Sequence, residues 1–190
     1  VTKAIDHLVE LVGKQAVCIL SVATKDALSE MIPIAAFANA RGVSFYPHMP
    51  YPSFETRGDR YFTSAPKQTD VAAVVTRAKK SQKLSIHVHG VAPCVTFKAM
   101  REAGVPLREW LQVPDRPPTL PGTEYREARF RHRADENDHA AFHASAIPCP
   151  HASKCTLIEA CPGEVLRSYA ELYGIDELSP VTLRELLLAT

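Results

Sequence analysis

At 190 residues, with 46% hydrophobic and 23% charged side chains, the chain is long enough to bury a core without disulfides or metal, too apolar for disorder and too charged for a membrane protein. Its 22 basic and 21 acidic residues nearly cancel, so no net field draws in a polyanion such as DNA or an anionic bilayer. The apolar runs Ala16–Ala23 and Met31–Ala38 fall far short of the ~20 residues needed to span a bilayer.

The opening VTKAIDHLVELVGK sets Ile5, Leu8, Val9 and Val12 on one stripe and predicts an amphipathic helix over 3–14, ending at Gly13. Asp6 and Glu10 interrupt its apolar positions, unlike the core of a signal peptide. The first residue is Val, not Met, so a removed leader is compatible with this start. Residues 15–24 read as a buried strand or the start of a second helix, and Asp26–Ala40 as a helix kinked at Pro33 and closed by Arg41-Gly42. A short strand is expected over Gly42–Tyr46. From about 47 to 66, four prolines (47, 50, 52 and 66) alternate with aromatics. Proline removes backbone donors and fixes φ, so an ordered aromatic loop is expected there, around a short strand at Arg60–Thr63.

Thr69–Lys80 reads as helix. Lys83–His89 reads as the clearest strand, Leu84, Ile86 and Val88 alternating with Ser85, His87 and His89. Pro93–Gly104 returns to helical spacing, and Leu107–Leu111 adds a short turn. VPDRPPTLPG over 113–122 is a second proline-rich loop. A short helix over Glu136–Ala144, a loop leading into helix over Cys149–Cys161 and a helix over Gly163–Tyr173, stopped by Gly174, complete the middle of the chain. A last helix over Pro180–Leu188 has Ser179 as its N-cap. The whole predicts one globular domain over 1–190, of α+β or irregular α/β class, with a small central sheet flanked by several helices.

Polar chemistry is concentrated in His, Cys and Asp. His87 and His89 stand two apart on the predicted strand, so both imidazoles project to one face and can converge on a cation, with Gly90 leaving room beside them. A second cluster is Asp138-His139-x3-His143 followed by Cys149, His151, Cys155 and Cys161, donors suited to Zn²⁺. A third is nucleophilic. Cys94 follows Pro93 at a helix start, where the dipole would lower a thiol pKa, His89 is a candidate base, and Asp135 or Asp138 could orient an imidazole. Cys18 is a weaker candidate of the same kind. Arg57, Asp59 and Arg60 among Tyr51, Phe54, Tyr61 and Phe62 could hold a phosphate or stack a nucleotide ring. The basic run Arg126–Arg133 is neutralised by Glu124, Glu127, Asp135, Glu136 and Asp138 and reads as a solvated face. Five cysteines, an odd number, favour a reducing compartment such as the cytoplasm.

The segment IHVHGVAPCVTFKAMREAGVP over 86–106 resembles the His-x-His strand and following helix of class II aldolase and adducin-type domains. That resemblance implies a divalent metal held by His87, His89 and, as the third ligand, His151.

These features lead to three expectations. The first is a soluble enzyme with its site at the 83–94 strand-to-helix corner together with residues from the His/Cys segment 132–155: a metal-dependent lyase or hydrolase holding a divalent metal, Zn²⁺ foremost, through His87, His89 and His143 or His151. The second is a cysteine hydrolase or deamidase using Cys94, His89 and Asp138. The third is a non-catalytic interaction module stapled by zinc through cysteines 149–161. The partner would be a small-molecule or protein substrate, with neither nucleic acid nor membrane involved.

Overall fold

The structure, a computed structural model, describes residues 2–50, 59–106, 146–161 and 163–188. It confirms the mixed class: seven α-helices among the described residues, with two small two-stranded sheets. No helix among them is long and apolar enough to cross a membrane.

Helix α1 (Thr2–Val12) buries none of its residues and is tied to α2 (Met31–Arg41) by Arg41 Nε donating to Asp6 Oδ1 at 2.5 Å. Strand β1 (Cys18–Val22) pairs in parallel with β2 (Ser44–His48), in register from Cys18↔Ser44 to Val22↔His48. A parallel pair needs a crossover connection, here α2. The expected buried strand over 15–24 is instead half-solvated, Leu20 and Val22 being 56% and 55% exposed, because the alternating residues of β1 have packing on one side only. Pro33 falls in the first turn of α2, where a missing N–H breaks no helical bond, so it sits at a helix start and not at a mid-helix kink.

The aromatic stretch departs further from expectation. β2 runs through Pro47, and Asp59–Ser64 forms a helix, α3, where a strand was expected at Arg60–Thr63. Helix α4 (Gln68–Gln82) is followed by Lys83 in the left-handed region at φ 52. The chain then returns beside β2. His87 N–H donates to the Phe45 carbonyl at 3.2 Å and His89 N–H to the Pro47 carbonyl at 2.9 Å, while His48 and His89 form a parallel bridge. The alternation of this segment predicts a strand, yet it carries no regular ladder. Pro47 has no N–H to return, so the pairing runs largely one way, from the segment to β2 carbonyls.

Helix α5 (Pro93–Glu102) packs against α4. Strand β3 (Ala146–Pro148) pairs antiparallel with β4 (Glu164–Leu166), followed by α6 (Arg167–Tyr173) and α7 (Leu183–Leu188). The expected helix over 163–173 thus begins as a strand, since β3 supplies a partner that no local pattern reveals. Phe45, Met31, Val71, Ile86 and Phe97 are the heart of the core, and Leu157, Val165, Tyr169, Leu178 and Val181 join the same buried cluster.

A polar chain couples the two parts around what becomes the site. Tyr169 Oη donates to Glu177 Oε1 and accepts the Gln68 N–H at 2.8 Å. Gln68 Oε1 in turn accepts the Ala92 N–H at 2.7 Å, just ahead of Pro93-Cys94. Glu177 Oε2 also accepts the Thr69 N–H at 2.8 Å, satisfying a donor at the start of α4. The N-terminus of α5 is therefore held by the C-terminal part of the chain.

Candidate functional site

Residues 149–161 carry three cysteines at equal steps, Cys149-x5-Cys155-x5-Cys161. Prolines 148, 150 and 162 bound the segment, and where the sequence predicts a loop leading into helix the backbone folds into two 3₁₀ turns, Ala152–Lys154 and Thr156–Ala160. Cys149 stands before the first turn, Cys155 is extended between them (φ −100, ψ 122), and Cys161 is extended after the second (φ −122, ψ 138). Each tight turn brings the next cysteine back to the same side. Cys149 N–H donates to the Gly163 carbonyl at 2.8 Å, fastening the start of the loop to its end. Gly163 has φ +70, and a Cβ there would meet Ile158 Cδ1 at 3.1 Å, so glycine is required on conformational grounds.

One cavity receives these side chains. Cys149, Cys155 and Cys161 line it together with Cys94, from the first turn of α5, and His151; Glu164, Leu157, Leu178 and Ser179 complete its wall. Its volume of about 30 Å³ exceeds the ~10–15 Å³ that one water needs. Four of the five cysteines in the chain thus border one cavity, one of them more than fifty positions from the others. All five are free thiols, and Cys18 lies exposed on β1.

The segment after α6 supplies donors to two of the sulfurs. The Val181 N–H lies 3.5 Å from Cys155 Sγ, and the Ser179 N–H bonds the Cys94 sulfur. Pro180 between them has no N–H, so alternate amides face the cavity. Ser179 Oγ is buried without a hydrogen-bond partner among the described residues. Burial pushes the Cys94 thiol up, against the lowering by Ser179, and thiols 155, 161 and 149 reinforce the rise. The helix start predicts a lowered thiol pKa; burial is instead the largest influence on it and acts the other way.

His87 and His89 are not among the residues lining this cavity. They stand with Tyr46 and His48. His48 and His89 stack at 4.7 Å between ring centroids, and Tyr46 lies 5.5 Å from His87 and 5.6 Å from His89. The His-x-His rings do share a face, as their spacing implied. Ser85 Oγ is 2.9 Å from His87 Nε2, and burial, helped by Lys79 and His89, lowers the His87 pKa to about 4. His151, expected as a third ligand beside them, is placed with the cysteines. His143, His139, Asp135, Asp138, Arg57 and the basic run lie outside the described residues. No three His, Cys, Asp or Glu side chains among the described residues stand closely enough to hold a single metal ion.

The sequence joins the 83–94 corner to the 132–155 segment in one expected site, but through histidines; it does not gather Cys94, Cys149, Cys155 and Cys161 as one set, and it misses His48 and the amides of Ser179 and Val181. The repeated Cys-Pro steps at 149–150 and 161–162 were the local signal available. Comparison with protein-family models, with curated proteins and with solved structures finds no match to this chain.

Proposed function

We propose that this chain is a metal-thiolate protein whose centre is formed by Cys94, Cys149, Cys155 and Cys161. The observation that carries the reading is the convergence of four thiols from two remote stretches on one cavity. Soft thiolates select zinc, copper(I) or iron–sulfur chemistry over hard cations. Metal binding would replace four protons and clamp the 149–161 loop onto α5. The hydrogen bonds from Ser179 and Val181 favour the anionic sulfur that a ligand must present.

This reading extends the zinc-stapled expectation by adding Cys94. The His87/His89 lyase or hydrolase draws support only from the shared face of those two rings. The Cys94 nucleophile draws less, since its sulfur is buried, raised in pKa and engaged by the Ser179 amide.

The test is elemental analysis of protein purified without chelator or metal-affinity tag. Stoichiometric zinc, copper or iron, lost in C94S and in C155S but kept in C18S, is the expected result. Metal retained in both C94S and C155S, or depending instead on His87, would overturn the assignment.

A further inference from the structure

We infer that the outer edge of β1 docks a second copy of this chain, strand against antiparallel strand about a twofold axis at Leu20. The direction in which that edge points follows from the ladder. Ala23 N–H donates to the His48 carbonyl at 2.7 Å, and a parallel strand bonds one neighbour through every second residue, so Ile19, Ser21 and Ala23 serve β2. On its far side β2 shows the same alternation, its Phe45 and Pro47 carbonyls receiving the N–H groups of His87 and His89. The N–H and C=O of Cys18 and Leu20 and the N–H of Val22 therefore point away from β2; the Val22 carbonyl accepts the Thr24 N–H at 3.1 Å. Among the described residues β1 pairs with β2 only.

Exposed strand edges are ordinarily blunted by charged residues, proline or a bulge. Cys18, Ile19, Leu20, Ser21 and Val22 include neither charge nor proline, and their register with β2 runs unbroken. Leu20 and Val22 keep 56% and 55% of their surface in solvent. The outward-bonding residues 18, 20 and 22 are symmetric about Leu20, so an identical strand fits this edge. A twofold axis normal to the sheet sets Leu20 against Leu20 of the second copy and Cys18 against its Val22, with the exposed faces of both sheets on one side. Edge-facing backbone groups then meet their own kind, and the apolar side chains pair across the strands. Charge agrees with this direction. Lys14 lies six positions before Leu20 and Asp26 six positions after it, both exposed, so the basic end of one copy approaches the acidic end of the other, where Glu30 also lies. Lys25, at that same end, is turned over the Tyr173 ring, 5.7 Å from its centroid.

The test is sedimentation equilibrium of the full chain over a range of concentrations, which should give twice the mass of one chain and dissociation on dilution. Leu20→Pro removes an N–H that β1 does not direct at β2, and Leu20→Lys sets two like charges beside the axis. Each variant should sediment as a monomer while keeping the far-UV circular dichroism and cooperative urea unfolding of the unaltered chain. Nitroxides on Cys18 should show dipolar broadening in the dimer, the two Cα atoms being about 14 Å apart, four residues of strand; the broadening should vanish in Leu20→Lys. A monomer at every concentration would overturn the proposal, as would a dimer that both variants leave intact or one without broadening at Cys18. Slow hydrogen exchange of the Leu20 amide in a monomer would overturn it as well, because the edge is then covered from within the chain.

Discussion

The backbone N–H of Val181 lies 3.5 Å from the sulfur of Cys155, 26 positions earlier in the chain. Since Thr156 N–H also donates to the Val181 carbonyl at 2.8 Å, both polar groups of Val181 are committed to the cysteine loop. The side chain of Val181 is 1% exposed, so a core residue fixes where the sulfur stands.

Thiol reactivity should split one against four. Cys18 is exposed, Cys94 is buried, and the other three are half-buried. Each unit by which burial raises a thiol pKa removes about tenfold of its thiolate at a fixed neutral pH. Brief alkylation followed by peptide mass spectrometry is expected to mark Cys18 first and Cys94 last. Loading the four-cysteine site with metal should protect positions 94, 149, 155 and 161 and leave Cys18 unchanged. Fast labelling of Cys94 in the native protein would contradict the burial argument.

Removing the Tyr169 hydroxyl should weaken the join between the C-terminal part and the α4–α5 pair. Tyr169→Phe deletes the bond to Glu177 and strips the buried Gln68 N–H of its acceptor. A buried donor left unsatisfied costs about 1–3 kcal/mol, to be read from urea denaturation. Combining Tyr169→Phe with Glu177→Gln should not cost the sum of the two, because the Tyr169 hydroxyl and the Glu177 carboxylate share one hydrogen bond.

His87 should titrate near pH 4 by NMR, against 6.5 for an unperturbed imidazole. Because the folded value is lowered, the unfolded chain binds more protons between those two pH values, so stability from this group is present above about pH 6.5 and falls as pH drops toward 4. His87→Gln should flatten that part of the stability profile. A His87 resonance titrating near 6.5 would refute its enclosure.

Thr182 should matter more than Ser179 to the last helix. Thr182 Oγ1 accepts the Glu185 N–H at 3.3 Å, and Glu185 Oε2 accepts the Thr182 N–H at 2.8 Å, a reciprocal capping box. Those backbone and side-chain bonds, together with Arg101, hold the Glu185 carboxyl at about 2. Its contribution is present above the ordinary carboxylate range and is lost as pH falls toward 2. Thr182→Ala should cost about 0.5–2 kcal/mol in thermal or urea unfolding; Ser179→Ala should leave helix α7 unaffected.

Local chemistry made much of the scaffold legible. The helix over 68–82, the Pro93 start of α5, the short strand near 42–46 and the shared face of His87 and His89 all follow from periodicity, Pro and Gly placement and the two-residue repeat of extended chain. The cap of the last helix was misplaced because Ser179-Pro180 satisfies the same local rule as Thr182-x2-Glu185, and only packing reveals that Ser179 faces the cysteines. The spacing over 163–173 predicts helix throughout, whereas 164–166 is a strand because its partner β3 lies sixteen or more residues away.

By itself the sequence determined a mixed α/β chain with a core, a helix starting at Pro93 beside Cys94, and five thiols whose grouping no local spacing sets; the expected helix within 149–161 is replaced by two 3₁₀ turns. Tertiary structure decided which thiols meet. Spacing along the chain limits only neighbours within a turn or two, whereas Cys94 reaches Cys149, Cys155 and Cys161 through the burial of Val95, Phe97, Leu157 and Val181 in one core and through the Tyr169–Gln68–Ala92 chain of hydrogen bonds. Those contacts depend on shape and satisfied polar groups across the folded molecule, which no local pattern encodes.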